Sequence, residues 1–340
     1  MRPLFHSRLI NGPFGDPGLY IPFQFTHRAL LFDLGDLAGL SPRNILKISH
    51  VFVTHTHMDH FVGFDRLLRL HLGRSRTLHL YGPPGFCDNV AGKLAAYTWN
   101  LVDNYGYSLE LEVNEISPAA VMTRTYSCRN KFGPETDALR RSFEGCLHEE
   151  PGFSVTAAVL DHGIPCLALS LTERFHINII KNGLDRLGLG PGPWLNEFKN
   201  ALWEERDPAG DFSVPAAEGG PVRKFALGAL AEEIALVTPG QKITYVTDVA
   251  DTPENREQIQ ALAADCDQLF IEAAFLDADR EMALDKHHLT ARQAGELAAL
   301  AGAKQFTVFH FSPRYTGQAD SLVAEADRAF KDAQAPARPA

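Results

Sequence analysis

Cysteine is sparse in this 340-residue chain: Cys87, Cys128, Cys146, Cys166 and Cys266 are scattered and form no Cys-x-x-Cys pair. That excludes a disulfide framework and a thiolate zinc knot, and it fits a reducing, cytoplasmic setting. Long apolar runs are missing as well. None approaches the roughly 20 residues of a membrane span, so no membrane partner is expected. The opening Met-Arg-Pro-Leu-Phe-His-Ser-Arg lacks the apolar core of a signal peptide. Positive charge is short too, with 32 basic residues against 42 acidic ones. A chain with that balance is not built for non-specific nucleic-acid binding, which draws its affinity from phosphate neutralisation. Two local stretches run the other way. Residues 61–80 carry Arg66, Arg69, Arg74 and Arg76 against Asp65 alone; residues 121–141 carry Arg124, Arg129, Lys131, Arg140 and Arg141 against Glu135 and Asp137. Each reads first as a solvated charged face. With 45% hydrophobic residues the chain can bury a large core without staples.

What the chain does have is concentrated in residues 54–60, Thr-His-Thr-His-Met-Asp-His. His55, His57, Asp59 and His60 follow the spacing H-x-H-x-D-H. Imidazole and carboxylate suit zinc and related divalent ions, and zinc takes about four ligands. The preceding His50-Val51-Phe52-Val53-Thr54 reads as a buried strand. Positions two apart at a strand end point to the same side, so His55 and His57 can share one ion. Asp59 and His60, past the turn, can reach a second.

Strands and helices alternate along the chain, which predicts an α/β layered fold. Strands are expected at 29–33, 77–81, 108–113, 153–160, 243–247, 268–272 and 306–309. Helices are expected from Phe61 to His71, near 86–103 and 253–264, and over 291–301 with Thr290 as N-cap. Residues 121–150 are polar and mixed, and read as an irregular excursion. Residues 173–206 contain Leu187-Gly188-Leu189-Gly190-Pro191-Gly192-Pro193, too rich in breakers to continue either regular element. They read as an inserted Gly/Pro-rich flexible arm, followed by a Gly/Pro/Ala-rich connection at 207–222. The expected organisation is one domain over 1–330 carrying that arm, with a frayed tail at 331–340.

Three more ligand-type residues end apolar strands: His162 after Val159-Leu160, Asp248 after Tyr245-Val246-Thr247, and His310 after Thr307-Val308-Phe309. They complete a two-metal set. His55, His57 and His162 would hold one ion and Asp59, His60 and His310 the other, with Asp248 bridging and a hydroxide between. Two such ions generate a nucleophile near neutral pH and clamp the oxygens of an in-line displacement. Asp33 and Asp161 read as supporting or turn residues, and Thr54 and Thr56 as orienting the ligand loop.

The order and spacing of these motifs resemble the metallo-β-lactamase superfamily, and within it the ribonuclease Z (tRNA 3′-processing endonuclease) family. His288-Leu289-Thr290-Ala291 is similar to that family's H-x-T-A segment. Phe270-Ile271-Glu272-Ala273-Ala274-Phe275 resembles the segment whose glutamate pairs with its histidine. His310-Phe311-Ser312-Pro313-Arg314-Tyr315 resembles the H-x-S-x-R-Y segment. The Gly/Pro arm stands where the family carries its tRNA-holding arm. The chain departs from the family at Pro165-Cys166-Leu167-Ala168-Leu169, where Pro-Ser-Phe-Gly-Tyr is usual.

The resemblance implies a four-layer αβ/βα sandwich, two divalent ions per chain (zinc, with Mn2+ or Mg2+ as alternatives) and a homodimer. It implies an endoribonuclease that removes 3′ trailers from pre-tRNA, with Asp59, His288 and Glu272 in the catalytic set. His288, made more basic by Glu272, would act as general acid toward the leaving alkoxide, although His287 is adjacent. Arg314 would pair with a phosphate oxygen, and Gly190, Pro191, Gly192 and Pro193 would contact substrate. The alternative reading keeps the chemistry and replaces the RNA with small or cyclic nucleotide diesters. An iron-dependent oxidoreductase on the same fold would have little use for His288 and the arm. A non-catalytic binding protein would not need the whole ligand set.

Overall fold

The computed structural model describes residues 4–24, 26–133, 139–215 and 222–334. The chain divides into two compact units. The larger comprises Phe5–Leu147, Thr156–Ser170 and Lys242–Ala340; the smaller comprises Met1–Leu4, His148–Val155 and Leu171–Gln241.

The first sheet of the larger unit has eight strands in sequential order: Arg8–Leu9, Leu19–Pro22, Ala29–Phe32, Ile48–Phe52, Arg76–Gly82, Leu109–Ser117, Ala120–Ser127 and Leu139–Ser142. Its central strands, from Ala29–Phe32 to Leu109–Ser117, are parallel. Strand residues alternate between faces. Ala29, Leu31, Val51 and Val53 therefore pack on one side, against Phe61, Phe64 and Leu67 of the following helices and Phe86 and Val90 of the helix Phe86–Ala95. Phe32 and Phe52 point the opposite way, with their rings edge-on 5.5 Å apart.

The strands Lys242–Val246, Gln268–Glu272 and Phe306–Phe309 run parallel in the second sheet. One face packs Val246, Ile271 and Val308 against the helices Pro253–Ala263, Ala291–Leu300 and Ala319–Gln334. The other presents Tyr245 and Phe309, stacked at 5.2 Å. Tyr245 also lies 6.0 Å from Phe32, so the two sheets meet through aromatic rings. Helices thus cover the outer face of each sheet, the four-layer α/β arrangement expected from the sequence. Thr290 N-caps its helix through a complete capping box with Gln293.

Several local expectations need correction. Residues 121–150 are strand-rich, with Ala120–Ser127, Leu139–Ser142 and Cys146–Glu150 all extended. The stretch looks irregular in sequence because polar and charged residues interrupt its apolar positions. Leu139–Ser142 is wholly exposed and carries Arg140 and Arg141, the charge that keeps an edge strand from pairing further. The helix expected to reach residue 103 stops at Ala95. The helix expected from Phe61 to His71 is broken into Met58–Phe61 and Phe64–His71.

The Gly/Pro segment lies in the smaller unit between the helices Lys181–Arg186 and Trp194–Trp203. Leu189 and Trp194 are buried in a small core with Phe198, Phe212, Leu227 and Ile234. The turn is further held by the Trp194 Nε1–H, which donates to the Gly190 carbonyl at 3.0 Å. Part of the 207–222 connection forms a hairpin strand, Asp211–Val214, paired with Arg223–Ala226; residues 216–221 lie outside the described residues. Of the expected tail, 331–334 end the last helix and 335–340 lie outside the described residues.

Two backbone hydrogen bonds position the metal loop. The Leu34 amide donates to the His60 carbonyl at 2.9 Å, and the Gly63 amide to the Leu34 carbonyl at 2.8 Å. The turn after Ala29–Phe32 is thereby laid directly on the helical start of the motif. A Cβ on Gly63 would sit 2.2 Å from the Gly35 carbonyl oxygen, and one on Gly35 2.8 Å from that of Asp59. Backbone cannot yield as a flexible side chain can. Gly63→Ala is expected to destabilise the protein by about 1–3 kcal/mol, read as a lower denaturation midpoint, and to loosen metal retention. An unchanged midpoint would show that this close approach is dispensable.

Candidate metal centre

The candidate ligand residues come from the carboxyl ends of strands in both sheets, as their positions in the sequence suggest. Ile48–Phe52 leads into His55, His57, Asp59 and His60; Lys242–Val246 leads into Asp248; Phe306–Phe309 leads into His310. In parallel sheets this end of the strands forms the natural site crevice. The turns are tight. Asp33, Asp248, His287 and His310 all have positive φ, at 62°, 44°, 56° and 60°. Such conformations cost non-glycine residues about 1–3 kcal/mol each, and here four of them flank one site.

All seven residues converge in two groups. His55, His57, His162 and Asp248 offer ligand atoms within 4.8 Å of one another, and so do Asp59, His60 and His310. Asp248 joins them. Its Oδ2 lies 3.6 Å from His55 Nε2 and 3.5 Å from His162 Nε2. Its Oδ1 lies 3.4 Å from His60 Nε2 and 3.5 Å from His310 Nδ1. Asp59 Oδ2 approaches His310 Nε2 at 3.3 Å and His60 Nε2 at 3.5 Å.

Three nitrogens in this cage, His55 Nε2, His60 Nε2 and His310 Nδ1, are buried without a hydrogen-bond partner. Leaving one such group unpaired costs about 1–3 kcal/mol, so three together need an explanation. The electrostatics supply it. Burial pushes the His55 imidazole down to about 2, with neighbouring His60 acting in the same direction. Burial also opposes charge on His60, but Asp248 and Asp33 outweigh it and raise its pKa well above the usual histidine range. Burial would raise Asp248, yet the facing His310 and His60 hold it well below the carboxylate range. Carboxylates and imidazole lone pairs thus enclose a space that favours positive charge. A nitrogen and oxygen donor set without thiolate suits zinc, manganese or similar divalent ions, and the residues present fit such ions.

Supporting contacts fix the ligands. Asp33 is fully buried and accepts from the Thr54 amide at 2.7 Å, the Tyr245 hydroxyl at 3.0 Å and His60 Nδ1 at 3.0 Å. His162 Nδ1 donates to the His287 carbonyl at 2.8 Å, which leaves Nε2 for the ion. Thr247 Oγ1 donates to Asp248 Oδ1 at 2.7 Å. Thr54 Oγ1 lies 3.1 Å from His55 Nδ1, and Asn89 Nδ2 donates to Thr56 Oγ1 at 2.7 Å. Asp161 is a turn residue, accepting from the Gly163 amide at 2.8 Å. The reach of Asp33 to Tyr245 could have been anticipated only from the rule that a tyrosine buried in a strand needs a partner for its hydroxyl.

His288 lies beside this cage. Its Nδ1 is 2.9 Å from Glu272 Oε2, and Glu272 Oε1 accepts from the Val249 amide at 2.8 Å. Burial disfavours the imidazolium, but Glu272 overrides it through charge and hydrogen bond, and the imidazole rises to about 9. A cation among the neighbouring ligands would pull that value down. His288 and His310 line a cleft of about 300 Å3 together with Phe14, Lys286, Phe275 and Ser312. Phe14 and Lys286 carry no motif signal; only folding brings them there. Arg314 is exposed, 3.5 Å from Asp279 and 6.0 Å above the ring of Phe275. Gly190, Pro191, Gly192 and Pro193 belong to the smaller unit.

Two expected outcomes test this geometry. Asp248→Ala should lower the bound metal measured by elemental analysis, whereas His288→Ala should leave the stoichiometry nearly intact; metal loss in the latter would make His288 a ligand. Asp33→Asn removes the charge that steers His60 and should weaken metal affinity about 10–100-fold in chelator competition. Equal affinity would show that Asp33 serves the fold alone.

The β-lactamase superfamily domain profile matches residues 212–311. Ribonuclease Z of Deinococcus radiodurans is 34% identical over 289 residues, covering 84% of this chain and 83% of the relative. Ribonuclease Z of Geobacillus kaustophilus is 29% identical over 315 residues, covering 89% of this chain and 85% of the relative. Among solved structures, the metallo-β-lactamase fold protein YhfI of Bacillus subtilis superposes with a TM-score of 0.53 at 16% identity, covering 96% of this chain and 92% of that one. The short form of human tRNase Z gives 0.50 at 18% identity, covering 92% of this chain and 93% of that one. These two establish the fold. The identity to the curated relatives, sustained over most of both chains, establishes the family: the chain belongs to the ribonuclease Z family, metal-dependent hydrolases of the metallo-β-lactamase superfamily.

Proposed function

We propose that this protein is an endoribonuclease that removes 3′ trailers from pre-tRNA, working with two divalent ions, zinc foremost. The observation that carries the reading is the His288–Glu272 pair beside the ligand cage, on the wall of the same cleft. Phosphodiester hydrolysis needs an activated water, neutralisation of charge on the phosphoryl oxygens and a proton for the departing alkoxide. Bound divalent ions supply the first two.

The chain's own residues supply the third. Glu272 is anchored by the Val249 amide and fixes the ring of His288 through Nδ1. That leaves Nε2 to carry a proton at the cleft wall. The Glu272 carboxylate favours the protonated ring, the form a general acid needs. Lys286, exposed on the same cleft, adds positive charge where a phosphodiester would lie. Asp59, about half exposed, bridges the ligand cage and the cleft, consistent with its place in the catalytic set. The exposed prolines of the Gly190–Pro193 turn and Arg314 are read as outlying substrate contacts, and the assembly as a homodimer; both rest on the family resemblance.

The decisive assay offers pre-tRNA with a 3′ trailer beside bis(p-nitrophenyl) phosphate, each with and without chelator. Chelator-sensitive cutting after the discriminator base is expected. Hydrolysis of the small diester alone would transfer the mechanism to small or cyclic nucleotide diesters. His288→Ala should reduce trailer cleavage about 10²–10⁴-fold, and Glu272→Gln should follow it in direction. Full activity in the His288 variant would remove it from the mechanism.

A further inference from the structure

We propose that a groove between the helix Phe64–His71 and the segment after the helix Phe86–Ala95 is a binding site for single-stranded RNA. The groove has a volume of about 600 Å3 and is lined by Leu68 and Leu72, Tyr97 and Trp99, and Arg66 and Arg69. None of these residues belongs to the ligand cage or to the cleft beside it. The arginines are two of the four that make residues 61–80 basic in an otherwise acidic chain.

Its chemistry matches one nucleotide after another. Arg66 and Arg69 lie three apart on one helix, so they emerge on the same face. Asp65, the acidic residue of the groove, is engaged through Oδ2, which accepts from Lys93 Nζ at 3.0 Å, and its Oδ1 is buried. Among the described residues neither Arg66 nor Arg69 pairs with a carboxylate. Two free guanidiniums beside a floor of leucine call for an anion that also brings a flat apolar body. Phosphate oxygens suit the guanidinium fork.

The aromatic side is in place to receive bases. Tyr97 is 44% exposed despite its size. Its ring stands edge-on to Trp99, 5.8 Å away. Trp99 is itself seated on Phe132 at 4.7 Å, with Nε1–H donating to the Leu94 carbonyl at 2.9 Å. An exposed tyrosine beside an anchored tryptophan, next to arginines that pair with no described carboxylate, forms the combination that holds single strands without reading sequence. An acidic peptide would satisfy the arginines but leave the aromatics unused. The inference extends the proposed RNA activity, and its test is separable from it.

The test uses the full chain with its metal. Binding of fluorescein-labelled decauridylate is followed by anisotropy across a series of salt concentrations, for wild type, Arg66→Ala/Arg69→Ala and Tyr97→Ala. Losing two phosphate contacts should weaken binding and make the slope of log affinity against log salt shallower by about 1.4. Tyr97→Ala should weaken binding roughly fivefold or more with little change in slope. Hydrolysis of bis(p-nitrophenyl) phosphate should be unchanged in both, which reports an intact fold and cage.

Variants with wild-type affinity and slope, or a wild type that does not bind the oligonucleotide, overturn the inference. So does equally strong competition by polyglutamate, which would make the groove a protein-docking site. Trailer cleavage by the wild type reports on the proposed function separately. Cleavage with indifferent variants sinks the groove alone; groove-dependent binding without cleavage sinks the proposed function alone.

Discussion

A carboxylate with no exposed surface, Asp33, ties the metal loop to both sheets of the larger unit. It ends a strand of the first sheet, takes the backbone and side chain of Thr54, orients His60 and accepts from Tyr245 of the second sheet. Burying a charge is costly unless it is paired and fully hydrogen-bonded, and Asp33 meets that condition only when both sheets are in place. The residue itself adopts a left-handed backbone to do so. Ligand geometry and sheet packing are therefore one constraint. His60 cannot be aimed without the inter-sheet contact, and the inter-sheet contact would strand a charge without His60 and Tyr245.

The ligand cage was the most legible part of the sequence because its signal is local. His55 to His60 fall within one turn, and His162, Asp248 and His310 each end an apolar strand. Strand-end position is a topological fact that periodicity exposes. The roles of Thr247, Val249 and the His287 carbonyl were not legible, because backbone amides and carbonyls leave no mark in composition. Phe14 and Lys286 reach the cleft from distant segments for the same reason.

The strands of residues 120–150 show where reading by composition fails. An edge strand needs few apolar residues, so Leu139–Ser142 looked like a loop. Gly188 to Pro193 interrupt regular structure as expected, and Leu189 within the segment and Trp194 just after it are buried in the smaller unit's core. Breakers locate a bend; flanking large apolar residues decide whether it is anchored. Arg314 is exposed, with Asp279 and the rings of Phe275 and Tyr315 as its neighbours.

His310 and Asp59 stand 3.3 Å apart although 251 residues separate them along the chain. An ion held between them would close a very long loop. Loop-closure entropy grows only as the logarithm of length, but the ends must still be brought together by other forces first. The unfolded chain therefore offers no ready-made cage, only the local fragment from His55 to His60. Tight metal capture becomes a late event in assembly, possible only after the last strand of the larger unit has docked. Ions held in the cage would then act as a clasp joining the chain's early segments to its final third.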